Sequence, residues 1–271
     1  MKNYSDITFI IPLRCESKDR LLNLDITLHW IKLKFNSPVI VKENNSKPIG
    51  QTICSKFDNV KYIFEESKSD DFHRTKLLND LILECKTKYI SNFDCDVILP
   101  IENLDLALHL LEDKYDFVYP YTYGNEFQKR IHHSNWEKFK KFLILDDLNT
   151  DLARTGVGHC FIAKTYSYIK AYGENENFIG WGPEDLERFN RFKKLNFNTT
   201  HLPDSYFIYH IEHIRTKNSC NLHSYFENNN NLEKKLNLMN RENTIEYYKN
   251  LDYVKNRKFN NDFYGDGLEV I

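Results

Sequence analysis

The chain has 271 residues and a formal net charge of −2, and 41% of its residues are hydrophobic. This composition excludes a disordered chain, and the small net charge excludes a sequence-wide attraction to nucleic acid, although a local basic groove stays compatible with it. No apolar run approaches the roughly 18 residues of a membrane span, and the amino terminus does not have the pattern of a secretory signal. The six cysteines show neither Cys-x-x-Cys nor zinc-ligand spacing, which favours reduced thiols. We therefore expect a soluble, cytoplasmic protein.

The first half of the chain alternates between apolar runs and helical patterns. Short, nearly continuous apolar runs are typical of buried parallel strands, and they occur in ITFIIPL, PVIVKE, VKYIFEE, KYISNFDCDVIL and YDFVYPYTY. Apolar residues at helical spacing occur in RLLNLDITLHWIKLKF, LDLALHLLED and DDFHRTKLLNDLILECK, where Asp70 or Asp71 is an expected cap. This alternation predicts a doubly wound α/β domain, which binds ligands beyond the carboxyl ends of its strands.

The alternation weakens after about Tyr123. GHCFIAKTYSYIKAYG predicts a strand and a short helix, and THLPDSYFIYHIEHI predicts an extended segment. EDLERFNRFKKLNF predicts a helix with Leu186, Phe189 and Phe192 on one side, and a polar helix is expected from about Leu232 to Val254. We expect one continuous domain with an irregular second half.

The segment FIGWGPEDLERFNRF, residues 178–192, places two of the nine glycines and one of the three tryptophans before an acidic run. Gly-Trp-Gly-Pro predicts a loop, and Pro183 suits the start of a helix. Glu184, Asp185 and Glu187 would then lie in the first turn, where the helix dipole favours carboxylates. A plain helix start is one interpretation, and a tryptophan and a carboxylate held together at the mouth of a site is the other.

Two short motifs carry groups that suit a metal ion. Asp94 and Asp96 end a predicted strand, where alternate side chains share one face. Crowded carboxylates repel unless a cation lies between them, and a divalent metal meets that need. His210 and His213 are three residues apart, and neutral imidazoles bind manganese or zinc. A solvated turn and two structural histidines are the alternatives.

Basic and aromatic residues lie where a nucleotide is expected. FHRTKLLN places Phe72, Arg74 and Lys76 at a predicted helix start, which attracts anions. Arginine pairs with phosphate or a pyrimidine edge, and phenylalanine stacks on a base. Pro12 and Arg14 lie at the end of the first strand. A core phenylalanine with solvated basic neighbours is the alternative.

In this order, FIIPLR, FHRTKLLN, FDCDVILP, GWGPED and HIEH resemble motifs of the β-1,4-galactosyltransferase family of GT-A glycosyltransferases. The family's strings are F-x-R-A-K-L-L-N, D-V-D-L-I-P, W-G-W-G-G-E-D-D-D and M-I-R-H, and the resemblance runs from about Ile7 to Asn218. It implies an α/β GT-A fold with a Rossmann-like, mostly parallel sheet flanked by helices. The implied single domain, 1–271, comprises a nucleotide-sugar half (1–123), an acceptor and lid half (124–220) and a carboxyl-terminal helical extension (221–271).

The resemblance also implies roles for individual residues. Asp185 matches the catalytic base, Trp181 and Glu184 match acceptor contacts, and the Gly-Trp loop matches a flexible lid that closes over the donor. The cofactor would be Mn²⁺ or another divalent cation. The implied metal ligands are Asp96, His210 and His213, and the implied nucleotide-sugar contacts are Pro12, Arg14, Phe72, Arg74, Lys76, Asp94 and Gly182.

Several positions depart from the family's pattern. Pro183 replaces a glycine and Ile179 replaces the first tryptophan of the lid, which leaves the reach of the lid open. Leu186 and Glu187 replace two aspartates, so acceptor contacts there are in doubt. His210 replaces a methionine, which can change the metal preference.

The implied activity is inverting transfer of a hexose or N-acetylhexosamine, galactose or N-acetylgalactosamine first, from a UDP-sugar to a glycan hydroxyl in surface polysaccharide synthesis. The alternatives are another GT-A transferase, retaining or with a different nucleotide sugar, a catalytically inactive sugar-binding module, and a metallohydrolase. The expected partners are a UDP-sugar and a glycan acceptor, with no nucleic acid and no transmembrane segment. Peripheral membrane association stays open.

The segment RTGVGHCF bears on the donor sugar. In the related galactosyltransferases a tyrosine three residues ahead of a Gly-Val-Ser turn crowds the C2 side of the sugar. Aligning the turns puts Thr155 at or near that tyrosine, and a threonine would leave room for an acetamido group. This register predicts that UDP-N-acetylgalactosamine is used at least comparably to UDP-galactose. A Thr155 that merely lines a strand edge is the alternative.

Overall fold

The computed structural model describes residues 4–132, 145 and 150–256. The strands within these residues are Ile7–Leu13 (β1), Val39–Asn45 (β2), Val60–Glu66 (β3), Tyr89–Phe93 (β4), Val97–Ile98 (β5), Phe117–Tyr119 (β6), Gln128–Ile131 (β7), Thr150–Ala153 (β8), Cys160–Lys164 (β9), Thr199–His201 (β10) and Ile208–Ile211 (β11). The α-helices are Lys18–Lys34 (α1), Gln51–Cys54 (α2), Arg74–Glu84 (α3), Ile101–Asp113 (α4), Thr165–Lys170 (α5), Glu184–Lys194 (α6), Phe226–Asn237 (α7), Arg241–Lys249 (α8) and Asp252–Asn256 (α9).

A seven-stranded sheet forms the centre of the molecule, in the order β10-β6-β9-β4-β1-β2-β3. All neighbours are parallel except β9, which runs antiparallel to both β4 and β6. Strand β1 is buried along its whole length, because its apolar side chains on both faces are covered. The predicted mostly parallel α/β sheet is confirmed, and its first three parallel strands have the ends that the apolar runs indicated, to within two residues.

A second sheet, in the order β5-β11-β7-β8, joins segments that are far apart in the sequence. Strand β5 begins directly after Asp96 and pairs antiparallel with β11, with Val97 opposite His210. The backbone N–H of Ile211 donates to the carbonyl of Asp96 at 2.8 Å. The strand pairing therefore brings the Asp94–Asp96 turn next to the two histidines.

The structure corrects two local predictions. Helix α3 begins at Arg74 and no side chain caps it, while the expected cap Asp71 lies 3.4 Å from Lys217 Nζ instead. The polar carboxyl-terminal helix is broken into the three helices α7, α8 and α9, and the rest of the extension lies outside the described residues.

Among the residues that the structure describes, no helix combines the length and the apolar character that crossing a membrane would need. The division of the domain into halves stays a prediction.

Helix α6 follows Pro183 and carries Glu184 and Asp185 in its first turn, as predicted. Its buried face, however, carries charged side chains beside Phe192. Leu186 is 43% exposed, whereas Arg188 and Arg191 are buried in ion pairs with carboxylates. Buried arginines are tolerated where their charges are paired and hydrogen-bonded. The predicted apolar side of this helix was therefore wrong for Leu186, which is exposed.

The Gly-Trp loop packs tightly against the carboxyl-terminal segment. Gly180 has φ +68°, and a Cβ added there would overlap the imidazole ring of His223. A Cβ on Gly182 would lie 2.7 Å from Asn229 Nδ2, an amide that donates to the carbonyls of Ile179 (2.9 Å) and Trp181 (3.2 Å). The two glycines therefore permit a close approach of helix α7 and the residues before it.

We expect Gly180→Ala to lower the free energy of unfolding by about 1–3 kcal/mol, because the variant has a strained φ and a methyl group that meets His223. Gly156→Ala is the matched control, since nothing lies within 4 Å of a Cβ added there. Urea denaturation of both variants measures the difference. Equal midpoints would contradict the packing described for the loop.

Candidate active site

A cavity of about 290 Å³ lies beyond the carboxyl ends of β1 and β4. This is the edge at which parallel α/β sheets bind ligands. Eleven of the thirteen residues predicted for the site line it: Pro12, Arg14, Phe72, Arg74, Asp94, Asp96, Trp181, Glu184, Asp185, His210 and His213.

Two predicted donor contacts do not line the cavity. Lys76 lies in the first turn of α3, and its Nζ is 2.8 Å from Glu65 on β3. Gly182 packs against Asn229. A helix start predicts that basic residues gather there, but not which of them faces the ligand.

Asp96, His210 and His213 form a compact cluster, each with one ligand atom within 4.8 Å of the others. His210 Nε2 is 3.7 Å from Asp96 Oδ1, and His213 Nε2 is 3.4 Å from Asp96 Oδ2. The other ring nitrogen of His213, Nδ1, lies 2.9 Å from the carbonyl of Ile214 and must donate to it. That bond leaves Nε2 as the ring nitrogen that faces Asp96.

The protonation of the cluster suits a cation. Burial opposes ionisation of Asp96, but the pKa of the carboxyl is lowered overall, and the guanidinium of Arg20 contributes to this. Burial lowers the pKa of His210 to about 4, so its imidazole is neutral at physiological pH. One carboxylate and two imidazoles are a donor set for manganese, zinc or iron, and the three residues fit a divalent ion.

Arg20 is a cavity residue that the sequence did not reveal. Its Nη1 lies 2.5 Å from Asp96 Oδ2, although the two residues are 76 positions apart. Arg20 is the third residue of α1, and nothing in the amphipathic pattern of that helix marks its position as functional. The carboxylate of Asp96 is therefore shared between a guanidinium and the two histidines.

Arg74 contacts carboxylates from two elements. Its Nη2 donates to Asp94 Oδ1 at 2.7 Å, and its Nη1 lies 3.5 Å from Asp185 Oδ1 and 3.9 Å from Glu184 Oε1. Burial raises the pKa of Asp94 although Arg74 opposes it. Arg74 thus holds the Asp94 turn against the first turn of α6, besides facing the cavity.

Glu184 and Asp185 differ in protonation although they are neighbours. Burial, and then the charge of Asp185, raise the pKa of Glu184 to about 8. Burial also disfavours the charge of Asp185, but Arg188 and Arg74 outweigh it and lower its pKa. Near neutral pH this pair therefore consists of one ionised carboxylate and one protonated carboxyl. Glu184 Oε2 has no hydrogen-bond partner among the described residues.

Trp181 lines the cavity, is 36% exposed and has its ring 5.3 Å from that of Phe226 on α7. The carboxyl-terminal segment, for which the sequence indicated no role, thus supports the loop at the cavity. All six cysteines are free thiols, as expected.

Thr155 does not reach the cavity. Its side chain is fully buried, and its hydroxyl donates to the carbonyl of Thr122 at 2.7 Å and accepts from the N–H of Gly124. The expected register, with Thr155 beside the donor sugar, was wrong. His159 from the same segment lines the cavity instead, with φ +62°, a backbone conformation unusual for a residue other than glycine.

Comparison with known proteins gives a family match and a fold. A family model described as the N-terminal domain of galactosyltransferase matches residues 143–214. No curated protein sequence is significantly similar to the chain.

Three solved structures are similar over most of the chain. The mannosyltransferase PcManGT from Pyrobaculum calidifontis, in complex with GDP-Man and Mn²⁺, is 13% identical with a TM-score of 0.50, over 79% of this chain and 58% of that one. S. aureus TarS 1–349, in complex with UDP-GlcNAc, is 13% identical with a TM-score of 0.51, over 78% and 60%. The catalytic domain of Drosophila β1,4-galactosyltransferase 7, in complex with xylobiose, is 15% identical with a TM-score of 0.47, over 87% and 82%.

The chain spans about three-fifths of the length of the first two structures. Their likeness shows the fold, which is that of the GT-A glycosyltransferases. The residues matched by the galactosyltransferase model include Trp181, Asp185, His210 and His213. Residues 143–214 are thus similar to the N-terminal domain of galactosyltransferase, and the chain has the fold of the GT-A glycosyltransferases.

Proposed function

We propose that the chain is an inverting, metal-dependent glycosyltransferase that moves a hexose or N-acetylhexosamine from a UDP-sugar to a glycan hydroxyl, in surface polysaccharide synthesis. The observation that carries the proposal is one cavity that holds both an Asp-His-His cluster and an ionised Asp185 beside a protonated Glu184. The partners would be the nucleotide sugar and the glycan acceptor.

The metal-dependent part rests on Asp96, His210 and His213, whose donor atoms fit a divalent cation, manganese first. A cation bound there would act as a Lewis acid and neutralise the charge that develops on the leaving nucleoside diphosphate. The mannosyltransferase neighbour is a complex with Mn²⁺ and a nucleotide sugar, which supports this proposal.

The chain's own groups perform the proton transfer. Asp185 is ionised and lines the cavity, so it can take the proton from an acceptor hydroxyl as that oxygen attacks the anomeric carbon. Glu184 is protonated and can donate a hydrogen bond to the acceptor. Trp181 offers an exposed aromatic face to a sugar ring. A single displacement of this kind inverts the configuration at the anomeric carbon.

The identity of the nucleotide sugar is the part of the proposal that the fewest residues of the cavity support. The preference for UDP-N-acetylgalactosamine depended on Thr155, which lies away from the cavity. One structural neighbour binds UDP-GlcNAc and another binds GDP-Man. A hydrolysis screen of UDP- and GDP-sugars tests the donor class, and a strong preference for a GDP-sugar would contradict the uridine donor.

The metal proposal predicts that His213→Ala weakens Mn²⁺ binding by at least about 10-fold, because one of three donor groups is lost. His132→Ala is the matched control: His132 also pairs with an aspartate, Asp151 at 3.0 Å, but is no part of the cavity lining. Calorimetric titration of Mn²⁺ measures both variants. Equal affinities, or full transfer activity in excess chelator, would contradict the metal site.

The base proposal predicts that Asp185→Asn lowers kcat for transfer by about 10²- to 10⁴-fold, because general-base catalysis has that magnitude. Affinity for UDP should stay within a factor of about two, since the amide keeps the shape of the side chain. Steady-state kinetics and UDP titration measure the two effects. Near-normal turnover in Asp185→Asn, together with its loss in Glu184→Gln, would assign the base to Glu184.

A further inference from the structure

The two carboxylate oxygens of Asp185 have different surroundings. Oδ1 accepts from Arg188 Nη2 at 2.6 Å and lies 3.5 Å from Arg74 Nη1. Oδ2 points towards Gly158, where an added Cβ would be 3.1 Å away. Residue 158 has no side chain, so no Cβ lies in front of Oδ2.

Arg188 is itself fixed by buried partners. It is 1% exposed, and its Nη1 donates to both oxygens of Glu174, at 3.0 and 3.2 Å. Its Nη2 also donates to the carbonyl of Val157 at 3.3 Å. Glu174 is 1% exposed, accepts from the hydroxyl of Tyr168 and is not part of the cavity lining. The Glu174–Arg188 pair is therefore a rigid buried support behind the first turn of α6.

We propose that Arg188, supported by Glu174, is a positioning residue that anchors Asp185 through Oδ1 and leaves Oδ2 as the oxygen that takes the acceptor's proton. The inference rests on the proposed transferase activity. In the step, the acceptor O–H bond breaks and its proton bonds to Oδ2. The oxygen's electron pair then forms the bond to the anomeric carbon, and the bond from that carbon to the diphosphate oxygen breaks, its electrons leaving with the nucleoside diphosphate.

The charges around Asp185 support different roles for its two carboxylate oxygens. Arg188 and Glu184 face it from its own helix, Arg74 from α3, and Asp94 and His159 from the ends of β4 and β9. The nearest cations both lie on the Oδ1 side. They keep the carboxylate ionised while leaving Oδ2 without a competing donor among the described residues.

The test removes both buried charges together, because a lone unpaired charge would endanger folding. The variant is Arg188→Met/Glu174→Gln, in which the glutamine can still accept from Tyr168. The matched control is Arg191→Met/Glu187→Gln, an equally buried ion pair at 3.0 Å on the same helix that contacts Tyr248 instead of Asp185. Thermal melts confirm that both variants are folded.

We expect the Arg188 variant to lose about 10²-fold in kcat, the magnitude of a misplaced reacting group, with UDP affinity unchanged. The acidic limb of its kcat/KM profile should move to higher pH, because removing a cation raises the pKa of Asp185. The control variant should keep the parent's kcat and pH profile.

An Arg188 variant that folds with the parent's kcat and pH limb would overturn the positioning role, and so would equal losses in both variants. Asp185→Asn separates this failure from failure of the proposed function. If Asp185→Asn abolishes transfer while the Arg188 variant is normal, only the positioning role falls. If Asp185→Asn is itself fully active, the proposed base falls with it.

Discussion

Charge balance within one cavity is the constraint on which this structure depends. Four carboxylates from two segments, Asp94 and Asp96 and then Glu184 and Asp185, converge there and are largely withdrawn from water. Ionised carboxylates packed in this way would repel one another and lose their hydration, so the fold is stable only if cations face them. Three arginines from three helices do so: Arg20, Arg74 and Arg188.

The same balance decides the chemistry. Because Arg188 and Arg74 both face Asp185, it is the carboxyl that stays ionised, and Glu184 becomes the one that holds a proton. Two adjacent carboxyls thus divide into an acceptor and a donor of hydrogen bonds. In the Asp-His-His cluster, neutral His210 and the buried carboxylate of Asp96 have lone pairs that suit a cation.

The carboxyl-terminal segment packs against the Gly-Trp loop at the cavity. His223 and Asn229 lie against Gly180 and Gly182, and Phe226 lies beside Trp181. Glycines in this loop are therefore required for close packing, whatever motion the loop also undergoes. A side chain at either position would push the tryptophan away from the helix that supports it.

The sequence by itself determined the elements and the order of the motifs. Apolar runs indicated the parallel strands, and the motifs indicated thirteen site residues, of which eleven line the cavity. These signals are local, since burial of both strand faces and the start of a helix depend on neighbouring residues.

Only the tertiary structure decided which side chains face the cavity. Arg20 contacts Asp96, which is 76 positions away in the sequence, and Lys76 contacts Glu65. Thr155 does not line the cavity, whereas His159 does. Such outcomes depend on strand pairing and on the pairing of buried charges between distant segments, which no local pattern encodes.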